Sequence, residues 1–233
     1  MKKKTKTVLL ILIAAVVVAA LIIGAVLLSL KGKPEEPENG EGEQSAEFPI
    51  NLGNGVTVTG ITTYAGMFVE DGSDAIVSGI PVVTLENKGD TAVQYLSFTL
   101  TMSDGEKYSF DLTTLLPGEK CTVLEKTQAA YNPEAEVAAA EVNGFAAFGE
   151  EPSLHEDVFE ITYSGNTISV KNISGAKVSA GRVFYKNRMG DLLIGGITYM
   201  ASFSELDAGE SISIVANHFS EGNSRIVFVT YAE

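Results

Sequence analysis

The chain has 233 residues, 45% of them apolar, enough for a sizeable buried core in one or two domains. Its formal charge of -14 is unevenly placed: all six lysines before Pro34 (Lys2, Lys3, Lys4, Lys6, Lys31, Lys33) stand without an acid among them, so the rest carries 10 basic against 30 acidic groups. A body that acidic repels phosphate backbones and has too few cations for counterion release, which argues against a nucleic-acid partner.

In chain order, residues 1–7 form a short lysine-rich terminus and Val8–Leu30 an uncharged stretch of 23 residues. At about 1.5 Å per residue this gives roughly 35 Å of helix, against a hydrocarbon core of about 30 Å. Val18-Ala19-Ala20 fits a small-residue cleavage site, but ten further apolar residues follow it, longer than a secretory h-region needs. The expectation is therefore an uncleaved transmembrane helix. Four lysines lie before it and two after, which puts the N-terminus in the cytoplasm and the bulk of the chain outside the cell membrane. Residues 31–47, rich in Glu, Pro and Gly, predict a disordered acidic linker.

From Phe48 the apolar pattern has period two. Val56–Tyr64, Ile80–Asn87, Val93–Met102, Lys120–Glu125, Val158–Tyr163, Thr167–Asn172, Gly181–Asn187, Ser211–Ala216 and Arg225–Tyr231 read as short strands separated by Gly, Asn, Asp and Ser. The fold class expected is all-β: antiparallel β-sandwiches after one N-terminal helix. Asn132–Val142 conflicts with this, since Asn132 as N-cap, Pro133 at the first helical position and an Ala/Glu run favour a helix. Its place in the repeat described next favours a strand.

The two halves resemble each other. Asn87 matches Asn172 and Gly105 matches Gly190, both 85 positions on, while Gly118-Glu119 matches Gly209-Glu210 at 91. Repetition on that scale predicts two tandem immunoglobulin-like domains, 48–149 and 150–233, with Pro152 and several acids at the boundary. Asn172 also heads the sole N-x-S/T triplet. Its counterpart Asn87 is followed by Lys88-Gly89, so the shared feature is an asparagine turn rather than a sugar acceptor.

The runs "TYAGMFVEDGSD", "VTLENKGDTAVQYLSFTL", "DLTTLLPGE" and "EEPSLHEDVFEI", with the stretch from Gly181 to Tyr231, resemble a group of uncharacterised membrane-anchored surface proteins of Gram-positive bacteria. The second half is similar to FxLYD-type β-sandwich modules. The resemblance implies fold and location and brings no catalytic residue with it.

Signals for chemistry are weak. His155 and His218 have no partner at metal-ligand spacing, no nucleophile elbow appears, and "LLPGE" lacks the Thr-Gly pair and hydrophobic tail of a wall-sorting signal. Cys121, the single cysteine, reads as a buried small hydrophobe. The acids Glu70, Asp71 and Asp74, and at the domain boundary Glu150, Glu151, Glu156 and Asp157, offer carboxylates to calcium without matching an EF-hand. No enzyme, cofactor or metal is expected. The candidate binding surface is one strand face bearing Arg182, Phe184, Lys186 and Arg188, suited to an acidic envelope protein or an anionic wall polymer. A glycan site is the alternative, weakened by the absence of Trp.

Overall fold

The computed structural model describes residues 47–232, and the expectations for 1–7, 8–30 and 31–46 lie outside them. Among the described residues there are thirteen strands and no helix: β1 (Ile50–Gly53), β2 (Val56–Phe68), β3 (Ala75–Asn87), β4 (Val93–Met102), β5 (Lys107–Leu115), β6 (Lys120–Leu124), β7 (Val137–Ala147), β8 (Phe159–Ser164), β9 (Thr167–Asn172), β10 (Ala180–Met189), β11 (Leu192–Phe203), β12 (Ser211–Val215) and β13 (Ser224–Ala232).

Alternation accounts for most of them. In β4, Leu96, Phe98, Leu100 and Met102 turn inward and are essentially inaccessible, and Phe98 stacks on its cross-strand neighbour Phe110 of β5 at 5.2 Å. Such a pair adds to area burial through its ring geometry. In the first half, β1-β2-β3-β6 and β5-β4-β7 enclose one core; in the second, β11-β10-β13 and β12-β9-β8 enclose another. The halves share a sheet: β6 and β11 pair in parallel, with Leu193 beside Cys121, making one seven-stranded sheet ordered β1-β2-β3-β6-β11-β10-β13. A third, small core of Phe68, Val69, Ile80, Val82 and Leu124 fills the end of the long β2–β3 hairpin.

The segment of conflicting propensity resolves by position. Asn132 does cap, its Oδ1 accepting the Glu134 N–H at 3.1 Å, but its Nδ2 is held by Asp104 and the turn ends there. From Val137 the chain is β7, paired with β4. Tertiary pairing outweighs helix propensity for a segment whose apolar residues have a sheet to join. Three strands escape the sequence reading, the short β1 among them. β5 alternates cleanly, with Tyr108, Phe110 and Leu112 inside, and β11 is interrupted by Gly195-Gly196, which disguises its pattern.

Candidate functional site: a buried polar cluster where the halves meet

The repeated turns are built alike. Asn87 and Asn172 are both fully buried at the ends of β3 and β9. Asn87 Nδ2 donates to the carbonyls of Thr91 (2.9 Å) and Leu115 (3.0 Å), and Asn172 Nδ2 to those of Ala176 (2.8 Å) and Leu206 (3.0 Å). Each Oδ1 accepts the backbone N–H two residues on, from Gly89 and from Ser174, at 3.0 Å. Each backbone is tied to the later Gly-Glu turn: Asn87 N–H to Glu119 O and Gly118 N–H to Asn87 O, Asn172 N–H to Glu210 O and Gly209 N–H to Asn172 O. The side-chain amide of Asn172 is thus wholly engaged in the turn.

The predicted strand face on β10 comes apart. Arg182 is exposed, and Phe184 is half-buried, stacked at 4.2 Å on Phe228, which Phe148 meets edge-on. Lys186 leaves this surface altogether and is fully buried. The cause is a pair of irregularities, against β13 between Phe184 and Tyr185 and against β11 between Tyr185 and Asn187, which place Tyr185 and Lys186 both inside. Beyond them Arg188 is half-buried, with no partner for its Nε. A strict two-residue period does not hold through a bulge, so the four side chains do not form one face.

Lys186 instead reaches the seam between the halves. Its Nζ donates to the carbonyls of Thr113 (2.8 Å), Gly196 (2.9 Å) and Ile197 (2.9 Å). Three acceptors use the three N–H groups of an ammonium, so this buried lysine is a cation. Burial draws its pKa below the usual lysine value, opposed by Cys121, Glu70 and Glu119.

Facing it is Glu70, at the tip of the β2–β3 hairpin. Its carboxylate accepts the N–H groups of Leu124 (2.8 Å), Gly196 (2.9 and 2.8 Å to the two oxygens) and Ile197 (3.2 Å). Desolvation raises its pKa, with those N–H groups and the Lys186 charge pulling the other way. The Gly196 peptide is consequently held through its N–H by an anion of the first half and through its carbonyl by the cation of β10. Only glycine fits there, because a Cβ on Gly196 would lie 2.0 Å from the Asp111 carbonyl oxygen. Its neighbour Gly195 has a φ of +85°, the left-handed region that favours glycine.

Further contacts cross the same seam. Arg225 pairs with Glu119, Thr198 Oγ1 donates to Thr113 O at 2.8 Å, Tyr199 Oη donates to Val69 O at 3.3 Å, and His218 Nδ1 lies 3.3 Å from Asp74 Oδ2 while its ring stacks on Tyr199. Cys121 Sγ donates to Gly195 O at 3.1 Å, and burial pushes its thiol up to about 11. A thiol so desolvated has almost no thiolate at neutral pH and is a poor nucleophile.

The acids considered for calcium do not converge. Glu70 turns inward, Asp71 accepts the Ser73 N–H at 2.8 Å, and Asp74 meets His218. Among the described residues no group of three or more His, Cys, Asp or Glu side chains is placed to hold a metal ion. Another buried acid that the sequence did not reveal, Glu125, accepts from the N–H groups of Ser109, Thr127 and Ala129 and from the Thr127 hydroxyl. The outer face of β8-β9-β12 carries a shallow depression lined by Glu160, Thr162, Ser169, Lys171 and Ser211.

What this cluster does chemically is saturate backbone groups at the junction. The sequence signals for it were a lysine beside two aromatics and a Gly-Gly pair, neither of which names a partner in the other half. A scan against protein-family models matches none, and a search of curated proteins finds no significant relative.

Proposed function

We propose that this chain is a single-pass membrane protein with a cytoplasmic N-terminus, an acidic stalk and two tandem immunoglobulin-like sandwiches of FxLYD type outside the cell, serving as a non-catalytic interaction or accessory module at the envelope. The observation that carries the reading is the use made of the half-buried Glu70 and the buried Glu125, Lys186 and Cys121: all bond backbone groups, as the members of a rigid scaffold do. A scaffold whose inner ionisable groups are taken up by its own backbone works through its outer faces and edges. Topology is tested by cysteine labelling on intact cells, for which the buried Cys121 gives little background. Ser45→Cys should react with a membrane-impermeant maleimide, and Thr5→Cys only after permeabilisation; the reverse pattern rejects the topology. Partners are sought by cross-linking on the same cells.

A second reading, a glycan or small-ligand site, is favoured by the depression on β8-β9-β12, where hydroxyls and the Lys171–Glu160 ion pair lie together. Soluble wall saccharides that perturb Thr162, Ser169 and Ser211 in solution would select it.

A further inference from the structure

Among the open strand edges of the described residues, one stands apart. β1 has four residues, β12 five and β8 six. The outer edge of β13 is covered by the connecting segment, Val229 N–H bonding Ser153 O at 2.8 Å, and that of β5 meets β11 through Thr113 and Thr198. β7 has 11 residues and, among the described residues, no strand neighbour but β4. It contains no proline or lysine, and Glu141 is its single charge. Natural sheets blunt such an edge with lysine, proline or shortness, because its unpaired N–H and C=O groups template another strand.

The face beside this edge is also open. Val142 and Ala140 pair with the inaccessible Phe98 and Leu100 and so share their core-facing side, yet both are exposed, Val142 at 38%. Approaching β7 from its start, the chain presents Glu134 and Glu136 in the preceding turn. Asp104 and Glu106 lie in the β4–β5 turn bonded to it through Ser103 N–H to Glu136 O and Asn132 Nδ2 to Asp104. With Glu141 these make five exposed acids near one end of the edge, with the cation Lys107 beside them. That charge, on a body already strongly acidic, disfavours a second copy of this chain and favours a cationic guest.

We infer that the free edge of β7 is a docking site for an extended, lysine- or arginine-bearing segment of a partner protein, which adds to the β5-β4-β7 sheet as a fourth strand. Main-chain hydrogen bonds supply affinity, the acidic end sets the preference for basic residues, and the Val142–Ala140 lip receives alternate side chains. This rests on the interaction-module reading and specifies its surface.

The test uses the full chain in lipid nanodiscs and a ten-residue peptide alternating lysine and threonine, with a glutamate–threonine peptide as control. Hydrogen exchange resolved to single residues should show the β7 amides that β4 leaves unbonded gaining protection with the lysine peptide and none with the glutamate one; the three register shifts against β4 break strict alternation along the strand. Changing the exposed Glu134, Glu136 and Glu141 together to Lys should weaken the effect on the order of tenfold or more, as three charge reversals at a partly screened rim would. No protection at millimolar lysine peptide overturns the proposal, as does equal protection by the glutamate peptide. Protection of β7 that appears without peptide and grows with protein concentration assigns the edge to a second copy instead and overturns it equally. Cross-linking that recovers partners while the peptide fails removes the edge and leaves the module reading standing.

Discussion

The asparagine turns and the seam between the halves solve the same problem, buried backbone groups lacking partners, by opposite means. Each turn uses a neutral side chain whose partners mostly lie within a few residues, Thr91 for Asn87 and Ala176 for Asn172, so each half carries its own copy. The seam uses charges drawn from distant parts of the chain, Glu70 reaching Gly196 and Lys186 reaching Thr113, and exists once. A duplicated module keeps its local turns automatically; joining two modules into one sheet requires groups that neither half needs alone. Burying such charges is costly unless both remain, so the seam is where substitutions have the greatest leverage.

The largest effects are expected there. Lys186→Met takes a charged donor from three carbonyls, of which Thr113 O keeps Thr198 Oγ1 and Gly196 O keeps Thr113 Oγ1, and leaves the Glu70 charge less compensated; it should cost about 3–5 kcal/mol in chemical denaturation. Adding Glu70→Gln should recover about 1–3 kcal/mol of what the two single changes sum to, since they share the Gly196 peptide. Strict additivity would show that the two charges do not act as one cluster. Gly196→Ala belongs in the same class, because its Cβ meets backbone rather than a movable side chain.

The turns come next. Asn87→Ala removes the donor to two carbonyls and the acceptor of a backbone N–H, which predicts a loss of about 1–3 kcal/mol; Asn172→Ala removes the same three bonds, but Val178 N–H still reaches Leu206 O and Ser174 Oγ still reaches Ala176 O, which puts its loss at the lower end of that range. Having no partner in common, they should add within about 0.5 kcal/mol, whereas strong coupling would mean the halves communicate through more than the seam.

A pH dependence separates the regions further. Glu70 has a folded pKa above its unfolded value, so between the two values the native state holds an extra proton, and above them it is the anion. Its contribution is then full below the unfolded value of 4.5 and lost as pH rises through the folded pKa. Stability of wild type against Glu70→Gln should diverge in that window, with the asparagine variants parallel to wild type; a Glu70 variant that tracks wild type throughout contradicts the desolvated carboxylate. The smallest effect is expected on the surface: Arg182→Glu should shift stability by no more than about 0.5 kcal/mol.

Legibility in the sequence follows the same division. The asparagine turns could be read because Asn87 recurs as Asn172 and Gly118-Glu119 as Gly209-Glu210 at near-constant spacing, and most strands because alternation is a local property. β7 was recoverable from its place in the repeat although its composition argued for helix. What failed was whatever depends on a bulge or on long-range pairing. Lys186 looked like a member of a cationic face until a one-residue slip turned it inward, and Glu70 looked like part of an acidic loop although two of its partners, Gly196 and Ile197, lie more than a hundred residues on. Polar residues carry no periodicity of their own, so their burial shows only when the sheet they serve is assembled.

The central claim is that the seam makes the two halves one cooperative body. Native-state hydrogen exchange tests it most directly by comparing the amides of Phe98, in the first core, and Val183, in the second. Equal opening free energies for the two, falling together in Lys186→Met, are the predicted result. A lower free energy for one half while the other stays closed in the wild-type protein would contradict it.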